Sequence, residues 1–191
     1  MSRLLFFHDF VSPYCRLALE SVTEAAERTG LEVRPVPVEL WPAPEPLPDP
    51  SEGGLTDALE TARTLAEEWG VALERPPRVP RTRKAHETVA YTLEHGATIP
   101  VLRRIYEALW SDGRDISRID VLADLGEAAG LEREPLHVAL GLDRYQADVV
   151  REQHAAAGAE ITGVPAVQLG SVLAAGLHPA DELVGWIEQN R

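Results

Sequence analysis

The chain has 191 residues, 45% of them hydrophobic and 26% charged, a composition typical of a globular domain with a buried core. Its net charge of −13 argues against nucleic acid or an anionic membrane surface as a partner, because both bind clustered lysine and arginine. The single cysteine excludes an intramolecular disulfide, and no apolar run reaches the length of a membrane span. We therefore expect a cytoplasmic location.

The chain begins with a predicted strand and helix. Residues 3–7 contain the run Leu4-Leu5-Phe6-Phe7, which is typical of a strand buried on both faces. Apolar residues at helical spacing follow, and Gly30 is a suitable C-cap. The apolar stripe consists of Leu17, Leu19, Val22, Ala25 and Ala26.

The corner between this strand and helix carries the first candidate site. Ser12 is a favourable N-cap and Pro13 a favourable first helical residue, so Cys15 falls in the first turn. The amide groups and dipole there favour an anion such as a thiolate by roughly 0.3 to 1 kcal/mol. In the alternative interpretation, Cys15 is a small buried apolar residue.

Proline shapes the next segment. Residues 31–38 alternate in polarity and predict a strand, which Pro35 and Pro37 restrict to the edge of a sheet. Alternating prolines from Pro42 to Pro50 then predict an extended spacer.

Residues 55–143 have helical periodicity and predict an inserted helical subdomain. Ser117 with Asp120, and Asp143 with Gln146, have the spacing of capping boxes. The histidines lack the spacing of zinc ligands, so we predict no metal site. The basic cluster of this segment is interpreted as a solvated helix start or as an attractor of an anionic substrate; it consists of Arg78, Arg81, Arg83 and Lys84.

A second candidate site precedes the last strands. Val164-Pro165 leads into an apolar strand at 166–169, and a cis bond there would expose neighbouring backbone to a ligand. The turn Gly170-Ser171 and residues 172–175 complete a predicted hairpin, and Pro179 begins the last helix.

Together the two candidate sites resemble the DsbA-like branch of the thioredoxin fold, in which a Cys-Pro-x-Cys helix start precedes a helical insertion and a Gly-Val-Pro turn. Within that branch the chain is most similar to FrnE-like proteins, through the segments Glu39 to Pro42, Pro80 to His86 and Ser111 to Ile116. The resemblance implies an α/β thioredoxin-like domain formed by 1–54 and 144–191, with 55–143 as the helical insertion.

The site departs from that pattern at Ser12, which stands where disulfide-exchanging members have their first cysteine. Dithiol cycling needs two sulfurs. Related glutathione transferases of the kappa class and 2-hydroxychromene-2-carboxylate isomerases carry Ser-Pro-Tyr at this corner. The resemblance implies that Ser12 binds the sulfur of a cosubstrate such as glutathione, which is not held tightly, while Pro13, Tyr14, Val164 and Pro165 contact the substrate.

Two other functions remain open at this stage. Cys15 could act alone by forming mixed disulfides with glutathione or a partner. The chain could instead be a redox-inactive module that binds a peptide or protein along the Val164-Pro165 loop. The expected partner is thus a small thiol, a peptide or a protein, and a homodimer is left open.

Overall fold

A computed structural model describes residues 3–51, 53–158, 161 and 163–191, so Thr162 of the Gly-Val-Pro region lies outside the described residues. A mixed α/β arrangement places one four-stranded sheet among helices. The strands are β1 (Arg3–His8), β2 (Glu32–Pro37), β3 (Ala166–Leu169) and β4 (Val172–Ala175). The helices are α1 (Pro13–Thr29), α2 (Gly53–Trp69), α3 (Arg83–His95), α4 (Thr98–Trp110), α5 (Ile119–Ala128), α6 (Arg133–Gly141), α7 (Gln146–Gly158) and α8 (Ala180–Gln189).

The sheet has the order β2-β1-β3-β4, with β1 parallel to β2 and antiparallel to β3. This confirms that the proline-containing β2 lies at an edge. In the antiparallel pair Phe7 is opposite Ala166, so the end of β1 meets the start of β3. The corner after β1 and the loop before β3 therefore lie at the same end of the sheet.

Each face of the sheet is covered by different helices. Phe6 of β1 is fully buried in the main core, which includes residues of α1 and α4. Phe7 points to the opposite face and packs with Val36, Ala156 and Ala166. This alternation explains the continuous apolar run in the sequence, because both faces of β1 are covered.

The two predicted capping boxes are wrong. Helix α5 begins after Arg118, while the Ser117 hydroxyl donates to Asp115. Asp143 has a positive φ of 52°, and its carboxylate pairs with Lys84 instead of capping α7. In both cases another hydrogen bond or ion pair occupies the side chain that would have capped the helix.

The proline segment also differs from its predicted extended form. It turns where the Glu45 N–H donates to the Pro42 carbonyl at 2.9 Å, and the Ala43–Pro44 bond is cis. Arg81 ties the turn to the helical region by donating to the carbonyl groups of Trp41 and Glu45. No helix in the described ranges is long and apolar enough to cross a membrane.

Candidate functional site

Ser12 occupies the N-cap position of α1. Its backbone is extended, with φ −88° and ψ 118°, and its hydroxyl oxygen accepts from the Cys15 N–H at 3.3 Å. Pro13 starts the helix, as the sequence predicts, and Gly30 ends it with a φ of 67°. The oxygen of Ser12 thus caps the first turn, while its O–H proton is not used by this bond.

Cys15 lies directly below this cap, with 0% of its surface exposed. Burial raises the pKa of its thiol to about 12, although hydrogen bonding to Ser12 and the Asp9 backbone opposes the shift. The expectation that the helix start favours a Cys15 thiolate is therefore corrected, because desolvation exceeds the stabilisation from the helix dipole. Of the two sequence interpretations, the geometry agrees with a buried apolar cysteine.

A buried polar cluster lies next to Cys15. The Tyr106 hydroxyl, on α4, donates to the Asp9 carbonyl at 3.1 Å and lies 3.0 Å from Nδ1 of His8. Since that hydroxyl has one proton, Nδ1 of His8 donates to the Tyr106 oxygen. Burial and the nearby His86 lower the pKa of His8 well below its usual value, so His8 is neutral.

The same cluster fixes Asp9, the residue that follows β1. One carboxylate oxygen lies 3.2 Å from Nε2 of His86, and the other accepts from the Leu40 N–H at 2.7 Å. Both side chains are essentially buried. These contacts join the corner that leads to Ser12 to α3 and to the segment after β2.

Sequence reasoning missed this cluster as a unit. The hydrogen bonds that join His86 and Tyr106 to His8 and Asp9 span 77 to 98 residues of the chain, so no local spacing connects these pairs. The one available signal was a pair of polar residues, His8 and Asp9, placed directly between a buried strand and an apolar corner. Such residues need partners when buried.

The second candidate site is the loop before β3. The Val164–Pro165 bond is cis, and the Pro165 carbonyl accepts from the Gly176 N–H at 2.9 Å. Within the part of the chain that the structure describes, the backbone N–H and C=O of Val164 have no hydrogen-bond partner. A cavity of about 190 Å³ lies beside this loop, lined also by Ile161 and Leu173.

The remaining predicted residues have different surroundings. Tyr14 is half-buried and packs against the main core. Arg83 pairs with Glu39, and Lys84 donates to the Leu140 carbonyl at 2.7 Å, so most of the predicted basic cluster is used in internal contacts. No group of three His, Cys, Asp or Glu side chains suited to a metal ion occurs among the described residues.

Comparison with known families identifies the architecture. Residues 3–188 match the model of the DSBA-like thioredoxin domain. The chain belongs to this family. This match confirms the fold that the two candidate sites predicted. The family includes oxidoreductases and an isomerase.

Two curated proteins are similar over most of their length. Uncharacterized protein YwbO of Bacillus subtilis (strain 168) is 30% identical over 181 residues, which cover 92% of this chain and 90% of YwbO. The 2-hydroxychromene-2-carboxylate isomerase of Pseudomonas sp. (strain C18) is 23% identical over 170 residues, covering 86% of this chain and 80% of the isomerase.

Solved structures have the same fold. A probable DsbA oxidoreductase from Streptomyces coelicolor has a TM-score of 0.84 at 22% identity, covering 99% of this chain and 89% of that one. The cytosolic disulfide reductase DsbM from Pseudomonas aeruginosa, in a structure with GSH, has a TM-score of 0.75 at 21% identity and covers 98% of both chains.

Proposed function

We propose that the protein is an enzyme that binds a small external thiol, such as glutathione, and uses its thiolate for isomerisation or group transfer. The observation that carries this proposal is the state of Cys15, which is fully buried and whose pKa is raised to about 12. A thiol in that state is a poor nucleophile. The reactive sulfur therefore has to arrive with a ligand.

Ser12 is the group that would activate such a sulfur. Its oxygen accepts the Cys15 N–H, and its own proton, which also lies within reach of the Cys15 sulfur, would turn to a ligand thiolate above the helix start. A hydrogen bond to a charged group contributes about 1.5 to 3 kcal/mol, and the helix start adds about 0.3 to 1 kcal/mol. Since one pKa unit equals about 1.4 kcal/mol, the ligand thiol would titrate about one to three units lower.

Val164 would bind the rest of the ligand. Its backbone N–H and C=O, which have no partner among the described residues, match the hydrogen-bonding groups of a peptide-like thiol laid alongside the loop as an added strand. Because β1 and β3 are antiparallel neighbours, this loop and the Ser12 corner share one end of the sheet. The two groups thus suit the peptide and sulfur portions of one ligand.

The chemistry balances without a cysteine of the protein. The ligand thiol loses its proton to water, and the thiolate adds to an electrophilic carbon, forming a C–S bond. Rotation and reversal of the addition break that bond and return the thiolate, which gives isomerisation with no net redox change. If another group leaves instead, the product keeps the sulfur and the reaction is a transfer.

Two relatives support this proposal from outside the structure. One is named as an isomerase, and the solved structure of DsbM contains GSH. Both are similar to this chain over most of their length. Their likeness motivates the choice of thiol and of reaction class.

Calorimetric titration with reduced glutathione tests the proposal. We expect saturable binding that Ser12→Ala weakens about tenfold, the equivalent of about 1.4 kcal/mol. Cys15→Ala, which removes the other candidate sulfur contact, should leave the affinity unchanged. S-methylglutathione has no ionisable thiol, so its binding should be insensitive to Ser12→Ala. Absence of saturable binding, or equal affinity for glutathione and S-methylglutathione in all variants, would refute thiol activation at Ser12.

The second candidate function is a redox-inactive peptide-binding module. It is favoured by the edge strand β4, where Val172 and Leu173 remain 38% and 41% exposed. Leu173 lines the same cavity as Val164, whose backbone N–H and C=O have no partner among the described residues. Binding of an extended apolar peptide that Leu173→Lys abolishes and Ser12→Ala does not change would favour this function. Glutathione-dependent isomerisation or transfer would exclude it as the sole activity.

A further inference from the structure

A cavity separate from the Ser12 and Val164 sites lies at the loop after α4. Its volume is about 310 Å³, and three of its six lining residues are arginines. The lining consists of Pro77, Arg78, Gly113, Arg114, Asp115 and Arg118. Such a concentration of guanidinium groups is unusual for a chain with 31 acidic and 18 basic residues.

The arginines of this cavity differ in their ion pairing. Arg118 is held by both carboxylate oxygens of Asp120, at 3.1 and 2.7 Å. Arg78 and Arg114 have no carboxylate within ion-pair distance in the described part of the chain, and neither side chain makes a hydrogen bond there. Two guanidinium groups therefore lack a carboxylate partner within the described ranges, although the protein has an excess of carboxylates.

One negative group, the Asp115 carboxylate, also lines the cavity and lowers its net positive charge. The Asp115 carboxylate accepts from the N–H and the hydroxyl of Ser117, at 3.0 and 2.6 Å. These bonds turn it towards its own loop without cancelling its charge. Asp120 neutralises Arg118, so the charges that remain at the cavity are those of Arg78, Arg114 and Asp115. Their sum is positive.

The loop backbone fixes the shape of this cavity. Gly113 has a φ of 63°, and a Cβ there would lie 3.3 Å from the ring of Pro77, so the two segments approach closely. The Arg114 N–H donates to the Ala108 carbonyl at 2.7 Å, which anchors the base of that side chain. Among the described residues, the N–H of Gly113 finds no acceptor.

We propose that this cavity binds the anionic group of a small carboxylate or phosphate ligand between Arg78 and Arg114. A guanidinium group presents paired N–H donors that match the oxygens of a carboxylate or phosphate. Trp110, just before the loop, donates to the Phe10 carbonyl at 2.8 Å and so joins the cavity to the segment leading to Ser12. The proposal does not depend on thiol chemistry at Ser12.

Calorimetry with inorganic phosphate and with succinate, at ionic strength held constant with chloride, tests the site. We expect saturable binding of at least one anion, with Kd on the order of millimolar or tighter. Arg78→Gln and Arg114→Gln should each weaken it at least tenfold. Because neither side chain makes a hydrogen bond or an ion pair in the described part of the chain, both variants should fold. Arg75→Gln is the matched control, since Arg75 is exposed, has no carboxylate partner among the residues that the structure describes, and lies outside the cavity.

The two anions distinguish the sources of the ligand. Saturation by phosphate alone assigns the site to phosphorylated molecules, and saturation by succinate alone assigns it to carboxylates. Asp115→Asn keeps the oxygen that Ser117 needs while removing a negative charge, and it should raise the affinity about threefold or more. Absence of saturable binding, or an equal loss in Arg75→Gln, or weaker binding in Asp115→Asn, would overturn the proposal.

Discussion

We expect the Cys15 thiol to resist alkylation in the folded protein. The residue has no exposed surface, and burial raises the pKa of its thiol from 9.0 to about 12. At about pH 8, a thiol of pKa 9.0 is ionised to about one part in ten, and one of pKa 12 to about one part in ten thousand. Since the thiolate is the reacting form, ionisation alone should slow the reaction about a thousandfold.

The rate of reaction with iodoacetamide measures this protection. The native protein should be compared with the same protein in denaturant and with Ser171→Cys, which adds a thiol in the exposed turn between β3 and β4. We expect the second thiol of that variant to react at the rate of an unfolded cysteine while Cys15 does not. If native Cys15 reacted within tenfold of the control thiol, the burial argument would fail. An external sulfur would then no longer be required.

Further predictions concern the stability of the protein and substitutions at Ser12 and Cys15. Because the pKa of Cys15 is higher in the folded state, stability should fall as pH rises from 9 towards 12, by up to about 4 kcal/mol in denaturant titrations. Tyr106, whose pKa burial also raises, adds to this loss, so Cys15→Ala should flatten the alkaline profile only in part. Ser12→Ala removes the N-cap bond and should lower the free energy of unfolding by about 1 kcal/mol; no change would mean that the cap is energetically silent. Asp9→Ala leaves buried His86 without its partner and should cost about 3 to 5 kcal/mol, whereas Asp9→Asn should cost clearly less. Ser12→Cys restores two sulfurs in the first turn and should confer insulin reduction absent from the parent; an inactive variant would show that the surrounding site, and not the missing sulfur alone, prevents disulfide exchange.

Local signals explain which elements could be predicted from the sequence. The strand at 3–8, the capped helix from Pro13 to Gly30 and the hairpin turning at Gly170 were all marked by adjacent residues. Helix α6 lies inside the segment 55–143 that was predicted to be helical, but its ends were not predicted. Its buried residues Leu136, Ala139 and Leu140 have helical spacing, but the whole helix is only nine residues long and lies between two turns. Such a short segment is stable through packing on α5, which the sequence pattern does not reveal.

The candidate site was predictable in position but not in electrostatics. The helix start and the Val164-Pro165 loop can be recognised locally, and the sheet brings both to one end. The protonation state of Cys15 depends instead on tertiary burial. A helix dipole contributes about 0.3 to 1 kcal/mol, whereas three pKa units correspond to about 4 kcal/mol in the opposite direction. Desolvation therefore decides the outcome.

The buried cluster beside Cys15 gives a physical reason why this corner can keep its shape with a serine in the first position. Asp9 and the Tyr106 hydroxyl connect the corner to α3 and α4 through hydrogen bonds that do not involve the Ser12 side chain. Replacing the first cysteine by serine therefore leaves the supporting contacts in place while removing the reactive sulfur. A helix start with a hydroxyl donor remains, which is the arrangement that the proposed use of an external thiol requires.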